Sequence, residues 1–458
     1  MEGNEQLAAL MRQAGFLKDD GSVGLKVFAR AVGRHAGRTF THTYVRRWLG
    51  GMVPRDPQTR HAITKALGER LGRSVDQHEV GFGGPRKISP DLGLSYSDDV
   101  YDGIAALTGL WQADLDNVSS LLTVPANIAA WSEASLSWLV TTRQDAIDGT
   151  GQRRVGHADI AGIRDTTGMF DRLDGQHGGG HARRALVEFL RTDVAALLNG
   201  SYSSEVGREL YREAAQATLL GAWMSYDAGL HGLAQRYFIQ ALRLAESTGD
   251  RLLGASILDA MSHQATFLGR YREAANLARA ARMGTETAGS SSALAHFYAM
   301  EARALARLGD TAECDRAMAA AVREFERRNP ENDPADWFGY FNESELAAEL
   351  GHCNRDLGRS VDASTYASQS LGPTASGYVR SDFFATMVLA DAYLDQGEAE
   401  QACKIALDAL QIGERLKSAR CGAYVGEFRE RLSRLGKSAA VADFVEQASE
   451  TRLWTPDA

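Results

Sequence analysis

Cysteine is scarce in this sequence, and its spacing excludes the usual cysteine-based frameworks. Four cysteines occur among 458 residues, and no two of them form a CxxC pair, the spacing shared by zinc sites and redox motifs. They are Cys314, Cys353, Cys403 and Cys421. We therefore expect neither a disulfide framework nor a structural zinc site, and we interpret all four as small core residues.

Long apolar runs are also missing. The most apolar window, residues 121–140, contains Pro125, Asn127 and Glu133, whereas a membrane-spanning helix needs about 20 consecutive apolar residues. The first residues, MEGNEQLAAL, lack the basic start and the apolar centre of an export signal. The sequence therefore predicts a cytoplasmic protein that does not span a membrane.

Motifs of catalytic sites are absent as well. A glycine run lies in the stretch LDGQHGGGHARRALVEFL, residues 173–190, and a glycine loop before a helix can bind phosphate through free N–H groups. Here a helical pattern precedes the glycines instead of a strand, and no Lys-Ser or Lys-Thr pair follows, as a phosphate loop requires. We predict a turn between two helices, with His181 and Arg183 at the new N-terminus. We expect no cofactor and no enzymatic activity.

Positive charge is concentrated at one end of the chain. Residues 1–88 contain 15 Lys and Arg against 8 Asp and Glu, a net charge of +7. The remainder contains 35 against 51, a net charge of −16. A small basic module on an acidic body is typical of a protein that contacts nucleic acid at one end. A chance excess of charge on a solvated surface is the alternative.

Four short helices are predicted in the basic segment. Apolar residues recur at helical spacing in residues 4–14, from residue 25 to a stop near 33–37, in THTYVRRWL at 41–49, and in 58–71. This succession predicts a helix-turn-helix domain whose third helix enters the major groove of DNA. The stretch GRHAGRTFTH between the second and third helices predicts a longer turn than the usual motif has.

The third helix carries the candidate DNA contacts. Val45, Trp48 and Leu49 share its inward face, which leaves polar side chains outside. Arginine binds guanine with two hydrogen bonds, and threonine contacts the thymine methyl group. We predict base contacts from His42, Thr43, Arg46 and Arg47. Phosphate contacts, which position a protein without reading sequence, are expected from Arg34, Arg38 and Arg55. Solvated surface charge is the alternative for each of these side chains.

The second half of the chain repeats itself. Five segments align on a turn glycine and a small residue five positions later: Gly229/Ala234, Gly269/Ala274, Gly309/Cys314, Gly358/Ala363 and Gly397/Ala402. The small positions lie 40, 40, 49 and 39 residues apart, against about 34 in a tetratricopeptide repeat. The pattern predicts helix pairs stacked into a right-handed solenoid, with an insertion at RRNPENDPADW around Pro330 and Pro334.

The first helix of each pair in such a solenoid lines a concave groove. The alignment predicts a groove that is basic in its middle and acidic and aromatic at its ends. Because the planar fork of arginine suits carboxylate and phosphate, we predict an anionic ligand or a peptide there. The predicted ligand-binding residues are Trp223, Tyr226, His263, Phe267, His296, Arg303, Arg307, His352, Arg355 and Asp391. Salt bridges between repeats are the alternative explanation.

Three stretches carry a resemblance to known regulators. AWMSYDAGLHGLAQRYFIQALRLAESTGD, LDGQHGGGHARRALVEFL and RRWLGGMVPRDP together resemble a family of actinobacterial helix-turn-helix/tetratricopeptide-repeat regulators, among them regulators of sporulation and antibiotic production. The chain is similar, more distantly, to the peptide-pheromone receptors of Gram-positive bacteria, which have the same domain order. The resemblance implies a transcription regulator with an N-terminal DNA reader, a helical solenoid and a dimeric state.

The sequence thus predicts an all-α protein of three parts. These are a helix-turn-helix domain over 1–88, a helical linker and dimerisation segment over 89–180 with a long helical stretch near 98–145, and a tetratricopeptide-like repeat domain over 181–458. We expect a sequence-specific DNA-binding transcriptional regulator whose repeat domain senses a peptide or small anionic ligand and mediates dimerisation. Its expected partners are double-stranded DNA and a second copy of the chain. A scaffold that binds a partner protein in the groove is the alternative.

Overall fold

The fold is almost entirely helical, which confirms the all-α prediction. The computed structural model describes residues 4–18, 20–71, 75, 77, 79–82, 89–96, 100–141, 147–285, 290–329, 340–372, 378–434 and 438–455. Within these residues no helix is both long and apolar enough to cross a membrane. The chain divides into two compact units, Met1–Ile88 and Ser89–Ala458.

The described residues of the first unit form four helices around one apolar core. They are α1 Glu5–Gln13, α2 Leu25–Ala36, α3 His42–Leu49 and α4 Pro57–Leu71. The Asn4 side chain caps α1 by accepting the Leu7 N–H at 2.9 Å, as a helix start requires. Phe28, Val45 and Ile63, from α2, α3 and α4, are fully buried in the shared core.

The connection between α2 and α3 is shorter than the sequence suggested. Gly33 does not end α2, which continues to Ala36. A Cβ at Gly33 would lie 2.8 Å from the Arg38 carbonyl oxygen, so this glycine allows the chain to pass close to the helix. The left-handed Gly37, with φ of 65°, is the actual stop. The turn therefore comprises only residues 37–41.

The second unit begins with helices of unequal length and one small strand pair. These elements are α5 Val100–Leu115, α6 Ser119–Leu122, α7 Ile128–Val140, β1 Gly149–Thr150, α8 His157–His177, α9 Arg183–Phe189, α10 Ala195–Leu198 and β2 Ser201–Tyr202. A π-helical turn, Leu190–Val194, joins α9 to α10, and β1 pairs antiparallel with β2. The helical stretch expected near 98–145 is interrupted, because Asn117 has a φ of 50° and Pro125 lies between α6 and α7.

In the described part of residues 204–448, twelve helices follow as six consecutive pairs. They are α11 Ser204–Asp227, α12 His231–Thr248, α13 Arg251–Phe267, α14 Tyr271–Met283, α15 Ser291–Leu308, α16 Thr311–Arg327, α17 Glu343–Asp356, α18 Ser360–Ser370, α19 Val379–Asp395, α20 Ala399–Gly413, α21 Ala419–Leu432 and α22 Ala439–Ala448. We call the first helix of each pair (α11, α13, α15, α17, α19, α21) an A helix. Each A helix contacts the A helix of the next pair.

The glycine and small-residue pattern explains how the pairs are built. The five aligned glycines separate the two helices of the first five pairs, and their φ values lie between 72° and 83°, a region in which other residues are strained. The aligned small residues Ala234, Ala274, Cys314, Ala363 and Ala402 are all 0% exposed. Small side chains at these positions let neighbouring helices pack closely. The predicted insertion at Pro330 and Pro334 lies outside the described residues.

The segment expected to be a linker is part of the second unit's core. Trp138 of α7 is fully buried, and the Arg251 guanidinium stacks 3.6 Å from the centre of its ring. A Cβ at Gly254 would lie 2.3 Å from the Trp138 indole nitrogen. Asp114 of α5 accepts a hydrogen bond from the Tyr237 hydroxyl at 2.7 Å. These contacts fix the early helices on the repeat helices.

The glycine loop, residues 178–180, joins α8 to α9 and binds both ends of the helix stack. The Gly179 N–H donates to Asp227 Oδ2 at the end of α11, at 2.8 Å. The Gly180 N–H donates to the Lys417 carbonyl just before α21, at 2.9 Å. Both N–H groups are therefore used within the protein, in a turn between two helices.

Side chains do not fit in this loop. Gly178 has a φ of 81°, and a Cβ at Gly179 would lie 2.7 Å from the Met224 carbonyl oxygen and 2.8 Å from the Asp227 Cβ. We expect Gly179→Ala to lower the free energy of unfolding by about 1–3 kcal/mol, measured by urea denaturation. Gly162→Ala in α8 is the control, because a Cβ there meets nothing within 4 Å. Equal stability of the two variants would contradict the close packing of the loop.

Candidate functional site

The polar face of α3 is the first candidate site. Val45 and Trp48 are only 0% and 2% exposed, and the Trp48 ring packs edge-on against Phe40 at 5.4 Å. The exposed residues of α3 are His42, Thr43, Tyr44, Arg46 and Arg47. The four predicted base-contacting residues therefore lie together on the exposed side of one helix, and Tyr44 joins them.

The three arginines expected to bind phosphate differ in their environment. Arg34 at the end of α2 and Arg55 before α4 are exposed, and neither forms an ion pair within the described residues. Arg38 instead donates to Asp56 Oδ2 at 2.5 Å and also hydrogen-bonds Thr59. Arg38 thus ties the α2–α3 turn to the start of α4.

A cleft in the second unit is the second candidate site. A helices from five pairs (α11, α13, α15, α17, α21) contribute to its wall. The lining residues are Tyr226, His263, Thr266, Phe267, Arg303, Arg307, Arg355, Asp356, Arg420, Tyr424 and Glu427. Six of the ten residues predicted to bind a ligand are among them. The stacking of the A helices brings these six residues together, because equivalent positions of successive A helices lie next to each other.

The arginines of the cleft form ion pairs between repeats. Arg355 donates to Asp356 at 2.8 Å and lies 3.3 Å from Asp391. Arg307 reaches the same Asp356 at 3.5 Å. Burial alone would raise the pKa of Asp356, but the two arginines lower it below its ordinary value. Salt bridging between repeats, the alternative considered for these residues, is therefore present in the structure.

Two further arginines pair with carboxylates, one of them partly buried (Glu349) and one fully buried (Asp227). Arg303 donates to Glu349 at 2.6 Å, and Arg420 lies 3.2 Å from Asp227 Oδ1. The Arg420 guanidinium also stacks over the Tyr226 ring at 4.9 Å. The guanidinium planes in the cleft are therefore fixed before any ligand arrives.

Two histidines at the cleft, His263 and His352, are disfavoured in their charged form. Burial and nearby arginines lower the pKa of both His263 and His352 well below the ordinary value. His352 Nδ1 lies 2.9 Å from the Ala348 carbonyl, which only accepts, so this nitrogen carries the proton. His352 Nε2 then accepts from the Tyr424 hydroxyl at 2.9 Å. In the described part of the chain, no cluster of His, Cys, Asp or Glu is arranged to hold a metal ion.

Four predicted ligand-binding residues support the cleft without lining it. They are Trp223, His296, His352 and Asp391. The Trp223 ring packs edge-on against His263 at 5.3 Å. His296 Nδ1 lies 2.8 Å from Asp259; burial opposes a charge on His296, but this carboxylate raises its pKa.

Several lining residues were missed in the sequence. Arg420, Tyr424 and Glu427 lie on α21, whose pair has none of the aligned turn glycines, and Thr266 precedes the predicted Phe267. The available signal for α21 is the helical spacing of its buried apolar residues. These are Cys421, Val425, Phe428 and Leu432, none more than 3% exposed. That spacing predicts a helix but does not place it beside α11.

Comparison with known proteins finds a similarity within the first unit. Residues 7–83 match the family model described as the SP15 N-terminal domain. No curated protein matches the chain. The match includes all of α2, α3 and α4 but none of the repeat helices. The wider resemblance to helix-turn-helix/tetratricopeptide regulators therefore stays a prediction.

The buried ion pairs of the cleft should contribute strongly to stability. Asp356→Asn leaves Arg355 without its closest carboxylate, so we expect a loss of about 3–5 kcal/mol. Asp315→Asn, which breaks the exposed pair with Arg359 at 2.6 Å, should cost less than about 1 kcal/mol. Urea denaturation of both variants measures the two losses in the free energy of unfolding. Similar losses would contradict the greater contribution of the buried pairs.

The same carboxylate should make stability depend on pH. Because the pKa of Asp356 is lowered in the folded protein, the folded state binds its proton less readily than the unfolded state. Ionised Asp356 therefore adds its full contribution to the free energy of unfolding above its ordinary pKa of 3.8. This contribution is lost as the pH falls through the lower pKa that Asp356 has in the folded protein. Asp356→Asn should reduce this loss of stability in acid.

Proposed function

We propose that this protein is a cytoplasmic, sequence-specific DNA-binding transcriptional regulator. The observation that carries the proposal is the exposed face of α3, which holds Thr43, Arg46 and Arg47 above the buried Val45 and Trp48. In this proposal the first unit is a helix-turn-helix domain. The short turn at residues 37–41 supports it, since helix-turn-helix motifs join their two helices by tight turns.

The chemistry of the α3 face suits base recognition. Arg46 and Arg47 offer planar forks that match the O6 and N7 atoms of guanine, and the Thr43 methyl suits thymine. Exposed Arg34 and Arg55 would contact phosphates on either side. Arg38 is proposed to contact phosphate as well, and its bond to Asp56 would hold it beside the turn before α3.

The second unit is proposed to be a tetratricopeptide-like solenoid that senses an anionic or peptide ligand and mediates dimerisation. The repeated contacts between successive A helices and the left-handed turn glycines support the solenoid. The arginines that meet in the cleft support the sensor. A ligand can regulate DNA binding only if it favours one arrangement of the protein over another. A dimer would read two half-sites spaced to match its symmetry.

DNA binding is tested on duplexes selected by the protein from a random-sequence library. Removing Arg46 and Arg47 together by alanine substitution should weaken binding to the selected sequence at least about 30-fold, since each guanine contact contributes ~1–3 kcal/mol. Non-specific binding should remain and should fall steeply with salt. Fluorescence anisotropy at several salt concentrations measures both.

The matched control removes two exposed positive charges outside α3. Arg12→Ala with Lys65→Ala should change affinity for selected and random duplexes by the same factor, because both residues would act only through overall charge. If the α3 variant keeps the parent's preference for the selected sequence, α3 is not the recognition helix.

A further inference from the structure

Arginine side chains dominate the wall of the cleft. Four arginines line it together with only two carboxylates, Asp356 and Glu427. The remaining wall includes the rings of Tyr226, Phe267 and Tyr424. Cationic forks next to aromatic faces match a ligand that carries an anion beside a flat apolar group.

Polar atoms in this wall lack partners. Arg303 Nε and the Thr266 hydroxyl are buried and have no hydrogen-bond partner among the described residues. Arg420 Nε is buried too: it lies 3.2 Å from Asp227 Oδ1 in an ion pair but makes no hydrogen bond to any described residue. The two arginines are only 8% and 7% exposed. A buried donor without an acceptor is unfavourable, so an acceptor on a ligand would gain hydrogen bonds here that the protein itself does not supply.

Arg420 also connects the cleft to the glycine loop. Its carboxylate neighbour, Asp227, accepts hydrogen bonds from the Gly179 N–H and the Ser418 hydroxyl, each at 2.8 Å. Arg380 lies 3.3 Å from the same carboxylate. Four groups therefore share one buried carboxylate, and Arg420 is the one among them that also lines the cleft.

We propose that the cleft binds an aromatic carboxylate whose oxygens take Arg420 away from Asp227. This proposal rests on the sensing role proposed for the second unit. The guanidinium of Arg420 is stacked on Tyr226 at 4.9 Å and on Phe384 at 4.4 Å, so its fork is held ready for two parallel hydrogen bonds. A ligand carboxylate that accepts both bonds competes with the single 3.2 Å ion pair between Arg420 Nε and Asp227 Oδ1.

The competition reaches the glycine loop through Asp227. When Arg420 turns to the ligand, Asp227 keeps only Arg380 as a cationic partner and is free to shift. Its bond to the Gly179 N–H then opens more often. Binding and loop opening are reciprocally linked, so any change that weakens the hold of Asp227 on Arg420 strengthens ligand binding.

Ligand binding is tested with the full chain and no DNA, using phenylacetate and indole-3-acetate as probes. Their neutral amides serve as controls of equal shape. At least one acid should bind tenfold more tightly than its amide by isothermal titration calorimetry. A hexapeptide ending in phenylalanine, with a free or an amidated C-terminus, shows whether the carboxylate can come from a chain end. No preference for any acid over its amide overturns the proposal.

Substitutions test whether the arginines of the cleft bind the acid. Arg420→Lys keeps the charge but loses the fork, and it should weaken binding of the acid at least tenfold, as should Arg303→Ala. Arg316→Ala removes an exposed arginine that pairs with Glu313 and should leave affinity unchanged. Circular dichroism confirms that each variant is folded. Unchanged affinity in the Arg420→Lys protein overturns the role of Arg420.

The coupling between ligand binding and opening of the glycine loop is tested by a separate measurement. Hydrogen exchange of the peptide containing Gly179 should become at least threefold faster when the acid is bound. Ser418→Ala, which removes one contact of Asp227, should speed exchange without ligand and tighten binding of the acid. Slower or unchanged exchange on binding overturns the competition. Since no DNA is present, these outcomes are independent of whether α3 reads DNA.

Discussion

The second unit depends on one buried carboxylate, that of Asp227. This side chain is 1% exposed and lies where the first A helix meets the segment leading into the sixth. Burial alone would raise its pKa, but Arg380 and Arg420 lower it overall, so it stays ionised. A buried charge is tolerated only with such partners, and these partners come from α19 and α21. The carboxylate therefore holds the last repeats to the first.

The contacts of Asp227 with the last helix pairs explain the positions of both the glycine loop and the cleft. The loop supplies the Gly179 N–H to Asp227 and must run against the end of α11, where no Cβ fits. Arg420 reaches the same carboxylate from the other side and enters the cleft wall. The residues that hold the ends of the stack together are thus partly the ones that line the cleft, and the proposed coupling between ligand binding and loop opening rests on this overlap.

The ion pairs of the cleft are compatible both with a role in stability and with the proposed role in ligand binding. Arg303, Arg307 and Arg355 all bind carboxylates of neighbouring repeats, so they stabilise the stack. The same pairs fix the guanidinium groups in place, and a preorganised group binds an incoming anion with less loss of freedom. The same arginines can therefore stabilise the stack and bind a ligand. The proposed DNA contacts lie elsewhere, on α3 of the first unit.

Local periodicity by itself determined much of this protein. The helix bounds of the first unit, the inward Val45 and Trp48, and the turn glycines of five pairs follow from residue spacing, because helix geometry fixes which side chains share a face. Tertiary structure decided the rest. Ser418 and Asp227 are 191 positions apart in the chain, and no periodic pattern reports such a contact. The place of Arg420 in the cleft and the need for Gly179 became visible only once the ends of the helix stack were in contact.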